Sequence, residues 1–186
     1  MNESLRISVR EIELRDIEHL EDYWLNSEPA FMIGMGVDLK KLPTREGLRK
    51  MLSEQIETPY ELKDSYALIW EINGKEAGHS SVNKIIFGKE AYMHLHLWKG
   101  YYRKKGLGTE LVKKSLPFYF ENLKLEQLVS EPYALNPAPN RTLEKIGFEF
   151  DKRYVTVPGW LNFEQEVNRW RMTRDTFEKK WSPEPL

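Results

Sequence analysis

The stretch Arg103-Lys104-Lys105-Gly106-Leu107-Gly108-Thr109 stands between an apolar, strand-like segment, Ala91 to Trp98, and a helical pattern running from Leu107 to Leu123. A basic, glycine-bearing turn that opens a helix is suited to holding phosphate. Glycine lets the backbone approach a ligand, the first amide hydrogens of the helix point at the anion, and arginine or lysine neutralises the remaining charge. The string is not a Walker A loop, because the chain has no Gly-Lys followed by Ser or Thr at the required spacing. It is not a dinucleotide fingerprint either, since Leu111 stands where the third glycine belongs.

Working outward, residues Leu5 to Leu14 alternate Leu5, Ile7 and Val9 with Arg6, Ser8 and Arg10, the period of a strand. Asp16 caps a helix reaching about Leu25. The apolar, glycine-broken stretch from Glu28 to Pro43 reads as a substrate-side loop. Thr44 begins a second helix ending near Glu57. Asn73-Gly74 between the runs 66–72 and 75–87 predicts a hairpin. Pro117 must bend or divide the helix after the phosphate turn. A strand at 127–131, a short helix to Ile146 and two strands, 148–157 and 164–173, complete the pattern. Residues 182–186 read as a frayed tail of a single domain spanning 1–186.

A second segment carries information of its own. Glu131-Pro132-Tyr133-Ala134-Leu135-Asn136 leads into Pro137-Ala138-Pro139-Asn140-Arg141-Thr142-Leu143-Glu144-Lys145-Ile146-Gly147-Phe148. Gly147 suits a helix C′ position with positive φ, and Phe148 starts the next strand in the core. The R-x-x-G-x-G turn followed at this distance by Asn and by Glu-Lys-Ile-Gly-Phe resembles the GNAT superfamily of acetyltransferases. The resemblance spans roughly residues 65 to 173. Its closest pattern is the RimJ/RimL-type branch. Around Glu131–Asn136 it is similar to aminoglycoside 6′-N-acetyltransferases and to siderophore-biosynthesis acetyltransferases.

The resemblance implies an α/β fold: a mixed, mostly antiparallel twisted sheet of six to seven strands, with splayed central strands and about four flanking helices. It implies acetyl-coenzyme A (acetyl-CoA) as cosubstrate, wedged between the strands at 91–98 and 127–131. Backbone groups of His96, Leu97 and Trp98 would pair with the pantetheine. Arg103, Lys104, Lys105, Gly106, Leu107, Gly108 and Thr109 would wrap the diphosphate, and Asn136 and Asn140 would face the pantetheine arm. The implied activity is N-acetyl transfer to a primary amine, a protein N-terminus or a small molecule, by direct attack in a ternary complex. The alternative is a non-catalytic acyl-CoA-binding sensor or interaction module.

Such transfer must first neutralise the amine, and a lysine-like ammonium costs roughly 4 to 5 kcal/mol to deprotonate at pH 7. His94 and His96 alternate along one strand and so share a face with Tyr92 and Trp98. Imidazole suits proton transfer near neutrality, and a pair of histidines alone is a poor metal site, so no metal is expected. His-Leu-His on this strand is similar to the arylalkylamine branch, with only His94 in register. Glu131 competes as the group that anchors or deprotonates the amine. Many relatives carry a thiolate-protonating tyrosine on the short helix, but Leu143 stands there, so either the thiolate leaves unassisted or a water or another group such as Tyr133 serves.

The 40% hydrophobic, 31% charged composition is that of a globular protein, and a net charge of -1 argues against nucleic acid as a partner. The absence of cysteine excludes disulfides and a thiol nucleophile. No apolar run approaches membrane length, so a cytoplasmic location is expected, and exposed apolar residues near the C-terminal strands would permit a homodimer.

Overall fold

The computed structural model describes residues 5–103 and 105–181; Lys104 and the tail at 182–186 lie outside the described residues. Seven strands form one sheet: β1 Ile7–Glu11, β2 Tyr66–Ile72, β3 Lys75–Ile86, β4 Glu90–Leu97, β5 Gln127–Ser130, β6 Glu149–Thr156 and β7 Gln165–Thr173. Their spatial order is β1-β2-β3-β4-β5-β7-β6. Every pairing is antiparallel except β4 with β5. Asn73 and Gly74 both take positive φ (52° and 73°), so the β2–β3 hairpin turns as the sequence predicts.

Helices α1 Ile17–Asn26, α2 Pro29–Gly34 and α3 Arg45–Glu57 precede β2. Helix α4 Leu107–Pro117 follows β4, α5 Pro137–Ile146 follows β5, and α6 Arg174–Trp181 follows β7. The described residues thus hold six α-helices where about four were expected. Helix α2 replaces part of the expected loop because Pro29 sits at its first turn, where a missing N–H costs nothing and φ is already helical. Helix α6 was not expected; its Phe177 stacks on Phe120 at 4.4 Å. Pro117 ends α4, and the chain continues as a wider π-turn through Asn122.

Strand period 2 sorts side chains to two faces. On one face, α1 and α3 pack Leu20, Leu48 and Leu52 onto Ala67 and Ile69 of β2. On the other, α4 buries Leu111, Val112 and Leu116 completely against a cluster that includes Met93, Trp170 and Met172. Each such side chain contributes about 1.5–3 kcal/mol relative to an exposed one. Within β4, therefore, Met93 faces α4, while its neighbours Tyr92 and His94 face the opposite side.

The feature that positions the site is the end of the parallel ladder. β4 and β5 pair at Glu90–Gln127, Ala91–Leu128 and Tyr92–Val129, and no further. The Ser130 hydroxyl still donates to the Met93 carbonyl at 2.8 Å. Beyond that point β4 runs on to Leu97 with only β3 beside it, and the central strands splay.

Candidate active site

On the open edge of β4, backbone groups alternate in direction. Trp98 N–H donates to Ala77 at 2.9 Å, and the His96 carbonyl faces Gly78, so both residues turn their backbone toward β3. Alternation leaves Leu95 and Leu97 directed into the gap. This corrects the expectation for His96 and Trp98, whose backbone groups are spent on the sheet. The Leu97 carbonyl is also engaged, accepting from Arg103 Nη2 at 2.9 Å and Nε at 3.3 Å. The Arg103 guanidinium lies 4.0 Å from the centre of the Phe31 ring. Arg103 therefore braces the strand end and α2, and its charge is not directed outward as expected.

The turn itself has the expected form. Gly106 caps α4 with φ +74°, a conformation that strains any residue with a Cβ, and no side chain caps the helix start. Positions 106 and 108 face open space, so the first amides of α4 are approachable. Lys105 is exposed beside them. Thr109 N–H returns to the Gly106 carbonyl at 3.2 Å. Asn136 lines the cavity described below. Asn140 departs from expectation. Its Nδ2 donates to the carbonyls of Tyr133 and Asn136, and its Oδ1 accepts from Asn168 and Trp170. With every polar atom engaged, it ties α5 to β7 and is not free to face a ligand.

His94 and His96 share one face, as their spacing requires, and the structure adds His79 directly across from His96 on β3. The His79 and His96 rings stack at 4.6 Å. His79 Nδ1 accepts from Trp98 Nε1 at 2.8 Å, and His96 Nδ1 is hydrogen-bonded to the Tyr23 hydroxyl at 3.0 Å. Burial pushes His79 down to about 3 and His94 to about 4, helped by the charges of His94 and Lys84 respectively. Burial also drives His96 well below its ordinary value. All three are neutral at pH 7. Burial raises Tyr23, which keeps its proton. His94 is half-buried, yet its Nε2 is enclosed and has no partner.

Glu131 sits just past the end of β5 with 6% of its surface exposed. Its Oε1 accepts from Arg169 Nη1 at 2.9 Å and from the Tyr154 hydroxyl. Burial and the carboxylate together push Tyr154 up to about 12. Arg169 also donates to the Tyr92 hydroxyl at 2.9 Å. One carboxylate oxygen is thus held by two strands, while Oε2 is enclosed and unpartnered.

A cavity of about 170 Å³ runs along this face from Ala67 on β2, past the histidines, to Glu131 and Asn136. Its outer wall joins two distant segments. The Gly36 carbonyl accepts from Gln165 Nε2 at 2.8 Å and Asn162 Nδ2 at 2.9 Å, and Asp38 N–H donates to Leu161 at 2.8 Å. Gly36 has φ +85°, and a Cβ there would fall 2.2 Å from Gln165 Oε1. Gln165 Nε2 also donates to the Phe163 carbonyl, so both its hydrogens are committed and Oε1 is fixed as an acceptor. Among the described residues, the buried side-chain atoms without a hydrogen-bond partner are Asn83 Oδ1, His94 Nε2, Glu131 Oε2 and Gln165 Oε1. All four residues line this cavity. Sequence reasoning missed His79, Asn83, Gln165 and Arg169, because each reads locally as one more residue of an alternating strand.

Residues 6–149 match the model of the acetyltransferase (GNAT) domain. The chain belongs to the GNAT acetyltransferase family. As a GNAT enzyme it is an acetyl-CoA-dependent N-acetyltransferase acting on amines. No curated protein matches it. Similar solved structures include RimL, a ribosomal L7/L12 alpha-N-protein acetyltransferase in complex with coenzyme A (TM-score 0.73, 17% identity, 91% of this chain and 95% of that one). A spermidine N-acetyltransferase from Vibrio cholerae, with CoA and spermine, matches with TM-score 0.74 and 14% identity over 92% and 97% of the two chains. The aminoglycoside acetyltransferase AAC(6′)-Ib with coenzyme A gives 0.70 and 18% over 95% and 100%. These identities carry the fold, with its splayed β4 and β5. Among the described residues, this GNAT enzyme has no group of three or more His, Asp or Glu placed to hold a metal, and no helix long and apolar enough to cross a membrane.

Proposed function

We propose that this enzyme binds acetyl-CoA in the β4–β5 gap and acetylates a primary amine seated in the cavity on the opposite face of β4. The backbone of Leu95 and the N–H of Leu97 offer the pairing groups, the amides from Gly106 to Gly108 and the Lys105 ammonium hold the diphosphate, and Asn136 borders the pantetheine arm. The thioester supplies an activated acetyl carbon. Glu131 Oε2 anchors the incoming ammonium, and His94 Nε2, directly or through a water, takes its proton. The deprotonated nitrogen then attacks.

The observation that carries this reading is the convergence of four unpartnered buried polar atoms on one cavity beside the splay. Leaving such atoms unsatisfied costs about 1–3 kcal/mol each. A ligand carrying N–H donors satisfies the acceptors among them. His94 is neutral, hence ready to accept a proton, but burial makes it a weak base. The same burial lowers a bound ammonium, so the proton passes between two similarly desolvated groups. Leu143 is fully buried in the core, so the thiolate leaves unassisted or takes its proton from a water or from Tyr133, which lines the cavity.

The test is release of free thiol from acetyl-CoA with amine acceptors, for the parent and for His94→Ala and Glu131→Gln. Loss of more than about tenfold in kcat for His94→Ala supports the base assignment. An unchanged rate and pH profile removes it and transfers the role to Glu131. Stabilisation by acetyl-CoA without turnover of any amine would support a sensor in place of an enzyme.

A further inference from the structure

The cavity that receives the amine carries very little charge. Among the described residues lining it, Glu131 is the only ionic one, and its partner Arg169 is shared with Asp151 at 3.1 Å. The histidines on its wall are neutral at pH 7. Away from Glu131 part of the lining is hydrocarbon: Leu20 and Trp24 of α1, Leu48, Met51 and Leu52 of α3, and Ala67 of β2. Four of these belong to the buried cluster under the helices, with Trp24 and Met51 packed against it. Gln55 also lines this arm, and its side chain is used up by Ser65 and the Ala67 amide.

We propose that the acceptor is a monoamine with an apolar body, its nitrogen at Glu131 and its hydrocarbon laid under α1 and α3. This rests on the acetyl-transfer reading and names its substrate class. The absence of a second carboxylate among the described lining residues argues against a polycation. Each further ammonium would enter a wall without a carboxylate, and burying an unpaired charge is strongly unfavourable. The length follows from the sheet. Across the paired strands β4, β3 and β2 are two spacings, about 10 Å, and the splay adds to that, so the arm suits a linear or arylalkyl body at least that long. Gln165 Oε1, in a side chain 4% exposed and fixed in orientation, is a further unpartnered acceptor on the cavity wall.

The experiment compares kcat/KM, at fixed acetyl-CoA, for butyl-, hexyl-, octyl- and phenethylamine with that for a linear polyamine, an aminoglycoside and a short peptide with a free N-terminus. Each methylene buried in the arm should raise kcat/KM by about fourfold until the arm is full. The charged and peptide acceptors should be poor. Met51→Trp, at a partly exposed position of the arm, should shift the optimum to shorter amines. Equal or better turnover of the polyamine, aminoglycoside or peptide, or a rate independent of chain length, would overturn the proposal and leave acetyl transfer standing. The same amines are titrated against the enzyme–CoA complex. Chain-length-dependent binding without turnover would keep the assigned class and reject the catalytic roles, whereas no binding of any alkylamine would reject the class.

Discussion

Trp98 Nε1 donates to His79 Nδ1 at 2.8 Å, which places the His79 proton on Nε2 and makes this buried histidine an acceptor by construction. His94 and His96 lie beside it, half-buried and also neutral. An unfolded chain protonates all three near pH 6.5, while the folded chain resists down to about 4 or below. Unfolding therefore takes up protons across that window, and stability falls as pH falls through it. Each histidine costs about 2 kcal/mol between pH 7 and pH 5. The urea midpoint should be flat above pH 7 and drop steeply toward pH 5. His79→Gln, which keeps an acceptor, should flatten the slope by about a third. A midpoint insensitive to pH between 5 and 7 would contradict the neutral trio.

The buried Glu131 and the half-buried Arg169, which also meets Asp151, form a pair that holds the end of β5 against β7. Arg169→Met leaves a carboxylate with one hydroxyl partner in a closed site, a loss of about 3 kcal/mol. Glu131→Gln keeps the volume and loses the charge. We expect Arg169→Met to lower Tm by several degrees. Glu131→Gln should leave Tm nearer the parent while raising KM for the amine. The two effects separate in a thermal melt read beside steady-state kinetics.

The phosphate turn divides into two kinds of residue. Lys105→Ala should raise the Kd for coenzyme A about tenfold, with a shallower salt dependence, and leave the melting point of the free enzyme unchanged. Arg103→Ala should lower that melting point instead, because Arg103 secures the Leu97 carbonyl and Phe31. Isothermal titration and a melt on both variants decide the matter. Equal effects on affinity would return Arg103 to the diphosphate.

Gly106→Ala places a Cβ on a residue with φ +74° in open space, so backbone strain is the whole effect. A cost of about 1 kcal/mol corresponds to a Tm lower by roughly 2–4 °C. KM for acetyl-CoA should rise several-fold as the first amides of α4 shift.

Much of this molecule is legible in the sequence because its signals are local. Asn73-Gly74 specifies the hairpin, Gly106 and Gly147 specify helix ends, and His94 and His96 fall on one face by strand period alone. The open edge of β4 was legible in position but not in phase. Only the register with β3 shows that Leu95 and Leu97 face the gap while His96 and Trp98 do not. Asn140 and Arg103 carried the residue types a ligand would want, and tertiary partners took them first. Glu131 was visible as a strand-end carboxylate. Its brace, Arg169, is 38 residues away, and no local pattern joins them. Helix α6 was overlooked because an eight-residue amphipathic stretch gives a weak signal beside two strong strands.

The clasp between Gly36 and Gln165 has a bearing on re-engineering. Residues 129 positions apart interlock so closely that neither can be enlarged alone. The front and back of the chamber are therefore inherited as a matched set. Grafting either segment from another family member should fail on its own and succeed only when both are transplanted together, so new acceptor preferences would arise by paired exchange and not by drift in a single stretch.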